Sequence, residues 1–336
     1  MMLRRAVPTL LTSLLLGLPF AACAGGPSPE TTEADLQTHY EDAAAADRKR
    51  REFQLVLMRL DQGMDSYASA INERGEARAD QHALRLEKQL RDLVLDYGGT
   101  SYDVRDGEVT TLPGRIGDNF SRLKALAADG SNPDKQAIAL SALGFSGQYE
   151  VLPLILQGTL SDDPFLVDHA VFGLAVLRAP DTPIGVLAGI VEQQKNDPES
   201  RAMAAWAIYQ VETAREDNTE ICALWRRYLT TDRDKVTAAV QVTAIRGLGH
   251  NADKQDADLV AGFLKSPVPL VRMAVTIALG RMQAQSHWEQ LLALIGPGEP
   301  EPNVRLHARK ALAALAGNVD YGYDVAAWRK VFERGQ

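Results

Sequence analysis

The residues best suited to catalysis or metal binding are six histidines and two cysteines, and they follow no catalytic pattern. The histidines are His39, His82, His169, His250, His287 and His307. No two of them have the four-residue spacing, with a glutamate between, that marks a helical zinc site. The nearest approach to a metal cluster is the set His250, Asp253, Asp256 and Asp258. It falls at a predicted turn, where an aspartate caps the following helix. We predict no catalytic residue, no metal site and no cofactor.

The two cysteines stand in different surroundings. Cys23 ends the quartet Phe20-Ala21-Ala22-Cys23, which follows the basic pair Arg4 and Arg5 and an apolar stretch at 10–20. This order of charge and hydropathy is typical of an export signal. Cys222 lies in the apolar helical stretch at 221–225, where a small buried hydrophobe is a better interpretation than a reactive thiol.

The quartet resembles the lipobox of bacterial lipoproteins, although that motif normally has leucine where Phe20 stands. The resemblance implies lipidation of Cys23, a signal peptide at 1–22 and a short tether at 23–30. The alternative is an ordinary signal peptide cleaved after an alanine. In such lipoproteins an aspartate after the cysteine retains the protein at the inner membrane, so Ala24 implies an outer-membrane lipoprotein facing the periplasm.

The charge balance makes nucleic acid an unfavourable partner. The chain has 36 basic and 44 acidic side chains and a net charge of −8. Removal of residues 1–22 would leave 34 basic side chains against the same 44 acidic ones. Binding to nucleic acid requires a clustered basic surface. No later apolar run approaches the roughly 18 residues of a membrane span.

A template that recurs about every 32 residues organises the second half of the chain. Its anchors are Lys135, Val167, Ser200, Val240, Val271 and Val304. Small or apolar residues stand four, seven and eight positions after each anchor, on one helical face. A period of this length predicts a solenoid, in which each unit buries its apolar face against the next.

Each repeat is predicted to be a helix pair, whose first helix starts at a proline or aspartate signal and whose second helix carries the larger apolar residues. The interval between Ser200 and Val240 is longer than the others. It predicts an insertion of about seven residues, at either 212–218 or 230–237.

Residues 271–280, with the sequence Val-Arg-Met-Ala-Val-Thr-Ile-Ala-Leu-Gly, resemble the first helix of a HEAT repeat. The short bacterial type is shared with HEAT-like phycobilisome lyase subunits, and 304–312 repeats the pattern closely. The resemblance covers 131–316 and implies a solenoid of about six helix pairs, whose second helices line the inner surface. The Gly-Tyr-Asp…Trp ending within 317–336 is similar to that of many bacterial HEAT-repeat proteins and predicts a capping helix.

Residues 31–130 form a predicted N-terminal helical region. Two apolar seams, from Phe53 to Ile71 and from Ala83 to Tyr97, predict an antiparallel helical hairpin. Thr100 to Gly114 is the one segment with strand character, and predicts either a small β-hairpin or an ordered loop. The fold class predicted for the chain is therefore all-α.

We expect a non-enzymatic scaffold or adaptor, held at the membrane by the lipid on Cys23, that binds another protein through the repeat surface. The candidate contact residues on second helices are Trp225, Arg226, Arg227, Tyr228 and Lys265. For Trp225, Trp288 and Trp328, packing between repeats is the preferred interpretation. Two alternatives stay open: an enzyme or lyase-like enzyme accessory, and a self-associating structural envelope protein.

Overall fold

A computed structural model describes residues 33–72, 77–96, 102–105, 108–111 and 118–334. Within these ranges, fifteen α-helices and one two-stranded sheet are present, and no helix combines the length and hydropathy needed to cross a membrane. The chain divides into two compact units, Met1–Leu126 and Ala127–Gln336. The predicted signal peptide, Cys23 and the tether lie outside the described residues.

The first unit contains the predicted helical hairpin and the predicted β-hairpin. Its elements are α1 (Glu33–Asn72), α2 (Ala77–Leu95), β1 (Tyr102–Arg105), β2 (Glu108–Thr111) and α3 (Asp118–Ala128), whose last residues belong to the second unit. Helices α1 and α2 pack together, and Phe53, Leu60 and Leu90 of the two apolar seams are buried. Strands β1 and β2 pair antiparallel, with Tyr102 opposite Thr111.

In its described residues, the second unit contains six helix pairs in sequence order. The first helices are α4 (Pro133–Gly144), α6 (Pro164–Leu177), α8 (Pro198–Glu212), α10 (Ala238–Asn251), α12 (Pro269–Arg281) and α14 (Pro302–Leu315). The second helices are α5 (Leu152–Gly158), α7 (Ile184–Glu192), α9 (Thr219–Leu229), α11 (Ala257–Ala261), α13 (Trp288–Ile295) and α15 (Val325–Arg334). This arrangement confirms the predicted α-solenoid.

The first helices begin where the sequence signals place them. Proline occupies the first turn of five of the six, all except α10. This position suits proline because its missing N–H would have no helical partner there. The Asn132 side chain accepts from Lys135 N at 3.0 Å, and Asp163 accepts from Phe165 N at 3.0 Å. These bonds satisfy amides that the helix itself leaves unpaired.

Each first helix packs on the next, and each of α5, α7, α9, α11 and α13 packs on the first helix of the following repeat. Small residues allow the close approach. A Cβ added at Gly144 would lie 2.4 Å from Gly173 O, and one at Gly173 would lie 2.5 Å from Leu140 O. The repeats therefore bury one another's apolar faces in single file, which is the packing a solenoid requires.

The second of the two predicted places holds part of the additional residues of the long interval, since 230–237 has eight residues and the corresponding loop at 193–197 has five. The loop at 213–218 is no longer than the corresponding loop at 178–183. The segment 230–237 instead contains an extra 3-10 turn, and α9 is the longest of the second helices.

At the end of the stack, the Trp328 side chain is fully buried and the Trp288 and Phe332 rings stack with centroids 5.2 Å apart.

Candidate functional site

Helix α9 carries four of the five predicted contact residues, but it points them in different directions. Trp225 and Tyr228 are fully buried. Arg226 and Arg227 keep 40% and 44% of their side chains exposed. Because a fully buried side chain cannot touch a partner, the prediction that Trp225 and Tyr228 belong to a recognition surface is wrong. The preferred interpretation of Trp225, core packing between repeats, is confirmed.

Trp225 donates its indole N–H to a buried carboxyl group that the sequence analysis did not single out. Nε1 of Trp225 lies 3.1 Å from Glu212 Oε2, at the end of α8. Asn251, at the end of α10, donates from Nδ2 to Glu212 Oε1 at 2.6 Å. The Glu212 side chain is fully buried, and Asn218 Nδ2 donates to its backbone carbonyl at 3.2 Å. The third and fourth repeats are thus joined through one carboxyl group.

Burial raises the pKa of Glu212 from 4.5 to about 7, because an apolar interior disfavours the charged form. The hydrogen bonds from Trp225 and Asn251 act in the opposite direction and only partly offset burial. Gly247 makes room for the group, since a Cβ there would lie 2.2 Å from Trp225 Nε1 and 2.6 Å from Glu212 Oε2. The arrangement holds one proton that is lost near neutral pH.

Arg226 reaches forward to the fourth repeat. Its Nε and Nη2 atoms bind Asp256 Oδ1 and Oδ2 at 2.6 and 2.9 Å, and Nη2 also lies 3.4 Å from Asp253 Oδ2. The Asp256 side chain is nearly buried, with 6% of its area exposed. A bidentate arginine–carboxylate pair of this kind fixes both direction and distance between repeats.

These contacts also separate the residues of the conceivable metal cluster. Asp253 and Asp256 face Arg226, Asp258 Oδ1 lies 3.0 Å from His287 Nε2, and the His250 ring packs edge-on against Tyr209 at 6.2 Å. Among the described residues, no three histidine, cysteine or acidic side chains are placed to hold a metal ion.

Arg227 and Tyr228 reach back to the second repeat. Arg227 forms an ion pair with Glu192, at the end of α7, and Tyr228 Oη donates to Glu192 Oε1 at 3.0 Å. Burial and the nearby Glu192 charge raise the pKa of the Tyr228 phenol. Helix α9, in the third repeat, therefore makes polar contacts with both the second and the fourth repeats. Its side chains hold these repeats in position relative to one another.

The remaining sequence candidates have simple surroundings. Lys265 is exposed, but α11 ends at Ala261, so the prediction that Lys265 lies on a second helix is wrong. The chain leaves the helix after Ala261, and Lys265 lies in the turns that follow. Cys222 is buried, as predicted, and burial raises the pKa of its thiol to about 11.

Two groups of residues in the structure were not predicted from the sequence. The Glu212–Asn251 pair has no local signal, because the two residues meet only when α8 and α10 stack. The second group consists of exposed cations on first helices, among them Arg246, Arg281 and Lys310. A signal for this group was present, since α10, α12 and α14 contain no acidic residue.

Comparison with known proteins agrees with the helix-pair architecture. A sequence profile of HEAT repeats matches residues 233–313, which include α10 to α13 and most of α14. No curated protein matches the chain. The profile match and the single-file stack together identify the second unit as a HEAT-like α-solenoid.

Two solved structures are similar over most of the chain. One is human deoxyhypusine hydroxylase in complex with glycerol, with 18% identity, 82% of this chain and 96% of that chain covered, and a TM-score of 0.27. The other is the complex of CpcE and CpcF of phycocyanin lyase from Nostoc sp. PCC7120, with 15% identity, 81% and 94% covered, and a TM-score of 0.36.

Proposed function

We propose that this HEAT-like repeat protein is a non-enzymatic scaffold that holds another protein on the surface of its helix pairs. A lipid on Cys23 anchors it in the bacterial cell envelope as an outer-membrane lipoprotein that faces the periplasm. The observation that carries the proposal is the regular packing of α5, α7, α9, α11 and α13 on the first helix of the next repeat. Such packing supplies a surface that is already ordered before a partner arrives.

A preordered surface favours binding because little conformational entropy is lost when the complex forms. The bonds from α9 to Glu192 and Asp256 support this proposal, since they restrain three successive repeats against one another. A standard protein interface buries roughly 800 Å² on each partner. First helices about 10 Å apart would supply that area over a few repeats.

The anchor is proposed from the Phe20-Ala21-Ala22-Cys23 quartet, and a lipid would raise the local concentration of the scaffold at the membrane. Metabolic labelling with an alkyne fatty acid tests it. We expect label on the wild-type chain and none on Cys23→Ser, with Cys222→Ser as the control that keeps the label. Equal labelling of wild type and Cys23→Ser would contradict the anchor.

The scaffold role is tested by co-isolation of the tagged full-length chain after brief crosslinking in its own cells. We expect a discrete complex with one non-self protein, in a fixed ratio and without covalent change of that protein. Recovery of self-complexes alone would instead support a structural envelope protein. Chemical modification of the partner, such as chromophore transfer, would support a lyase-like enzyme accessory.

A further inference from the structure

The first helices of the last three repeats carry only positive charge. Helices α10, α12 and α14 contain no aspartate or glutamate, although the whole chain has a net charge of −8. Two of their arginines pair with acidic residues, in Arg272–Glu299 and Arg309–Asp320, and Arg305 lies over the Tyr323 ring. The other basic side chains of these helices form what we call the cationic face: Arg246, His250, Arg281, His307 and Lys310.

Equivalent positions of the repeats bring these residues together. Helix α10 packs on α12, and α12 packs on α14. Residues at the same number of positions after each repeat anchor therefore lie side by side. The position six residues after the anchor is occupied by Arg246, Ile277 and Lys310. The position ten residues after the anchor is occupied by His250, Arg281 and Ala314. Of the cationic face, all but the half-buried His307 are exposed.

The two histidines respond to this concentration of positive charge. Burial lowers the pKa of His250, and the nearby Arg281 charge lowers it further. Burial also lowers the pKa of His307, with additional effects from Lys310 and from Arg246, which lies two first helices earlier in the stack. Since a positive neighbour disfavours protonation, the face resists further positive charge and favours a negative ligand.

Apolar side chains lie between the cations. Leu270 is 58% exposed at the start of α12, and Met273 and Ile277 follow it on the same helical face, both half-buried. The row continues on α8, where the Tyr209 ring lies 6.2 Å from the His250 ring. The surface therefore offers positive charge and apolar contact in alternation, so a matching ligand needs both acidic and apolar groups.

We infer that the cationic face binds a protein segment in which acidic side chains alternate with apolar ones. This inference rests on the proposed scaffold function and specifies the chemistry of its partner. A nucleic-acid backbone would match the charge of Arg281 and Lys310 but leave Met273 and Ile277 without a partner. Binding to a bilayer requires an apolar face that enters it, but of the three apolar side chains of this face only Leu270 is exposed, and Met273 and Ile277 are half-buried.

The test uses a fluorescent peptide of about ten residues in which Glu and Leu alternate at every second position, with Ser between them. Every second side chain of an extended chain lies on the same face, so both kinds of side chain face the protein. Three helices about 10 Å apart span about 20–30 Å, which such a peptide covers at about 3.3 Å per residue. The variant is Arg281→Glu with Lys310→Glu in the full chain. The matched control is Arg329→Glu with Lys330→Glu, which reverses two exposed cations on α15.

We expect the first double variant to bind the peptide about tenfold or more weakly than wild type, and the α15 variant to bind within about twofold. Raising the salt from about 0.05 to about 0.5 M should weaken wild-type binding. Circular dichroism on both variants checks that each is folded. Equal affinities of the two variants would overturn the inference.

Two further probes define the class of partner. A single-stranded DNA of similar charge and vesicles of anionic phospholipid should bind more weakly than the peptide. If the DNA or the vesicles bind more tightly than the peptide, and the double variant Arg281→Glu with Lys310→Glu loses that binding, the assignment to a protein segment is overturned. If the peptide test fails but a partner protein is co-isolated, this binding site is rejected and the proposed scaffold function is retained. Failure of co-isolation would instead reject the scaffold.

Discussion

The indole N–H of Trp225 donates to the Glu212 carboxyl group at 3.1 Å, and both side chains are fully buried between the third and fourth repeats. A tryptophan beside two arginines in the sequence has the composition of a binding hot spot. In the folded chain it is instead an internal donor to the Glu212 carboxyl group, to which the neutral Asn251 amide also donates. The stability of the stack should therefore depend on the protonation of Glu212.

Glu212→Gln should change how stability depends on pH. Burial raises the pKa of Glu212 from 4.5 to about 7, so the folded chain holds the proton more tightly than the unfolded chain. The stabilising effect is complete below about 4.5 and is lost as the pH rises through about 7. This difference between the folded and unfolded pKa values of Glu212 corresponds to at most about 3 kcal/mol of the free energy of unfolding. Urea unfolding of both proteins from pH 4 to 8 measures it.

We expect the wild-type free energy of unfolding to fall relative to that of Glu212→Gln across this interval. Comparison with the variant cancels the contributions of other titrating groups, such as Asp168, whose pKa burial also raises. A constant difference between the two proteins from pH 4 to 8 would show that Glu212 titrates normally.

Gly247→Ala should destabilise the second unit. The new methyl group would lie 2.2 Å from Trp225 Nε1, which forces the indole away from Glu212. Overpacking of this kind costs about 1–3 kcal/mol. The matched control is Gly189→Ala on α7, where no described atom outside the helix's own backbone and adjacent residues lies within 4 Å of the added Cβ. Alanine there favours the helix by up to about 1 kcal/mol. Thermal unfolding gives the melting temperature of each variant, and a lower melting temperature for Gly189→Ala than for Gly247→Ala would contradict the packing around Gly247.

Arg226 and Asp256 should show energetic coupling. Their bidentate contact joins the third repeat to the fourth, with the Asp256 side chain almost buried. Because Arg226 is 40% exposed, solvent screening limits the expected coupling to about 1 kcal/mol. A double-mutant cycle with Arg226→Met and Asp256→Asn measures it. The Arg309–Asp320 pair serves as the control and should couple more weakly, because 41% of the Asp320 side chain is exposed, against 6% of the Asp256 side chain.

Cys222 should be unreactive in the folded chain. Its thiol is buried, and its pKa is raised from 9.0 to about 11, so it has about a hundredfold less thiolate than an ordinary thiol below pH 9. Cys23→Ser leaves Cys222 as the single thiol. Iodoacetamide should then modify the native protein far more slowly than the protein in urea. Equal rates would mean that the α9 face is open to solvent.

The repeat architecture was predictable because it depends on local spacing. The anchors Val240, Val271 and Val304 and the small residues after them are buried, since a fixed offset on a helix fixes the face. Proline and aspartate signals placed the helix starts for the same local reason.

The α9 contacts could not be predicted from local spacing. Glu212 resembles any acidic residue at a helix end until Trp225 and Asn251 approach it from two other helices. The exposure of Arg226 and Arg227 likewise depends on where Asp256 and Glu192 lie after stacking. Such tertiary contacts leave no periodic trace in the sequence.

Site-resolved photo-crosslinking in the native cell tests the central claim, that the repeat surface itself holds a partner. A photoreactive residue is placed in turn at Arg281 and Lys310 of the cationic face and at Lys330 of α15, and adducts are identified by mass spectrometry. We predict one non-self protein crosslinked from Arg281 and Lys310, through a segment with acidic and apolar side chains, and none from Lys330. Adducts only with other copies of the chain, or no adducts at Arg281 and Lys310, would contradict the account.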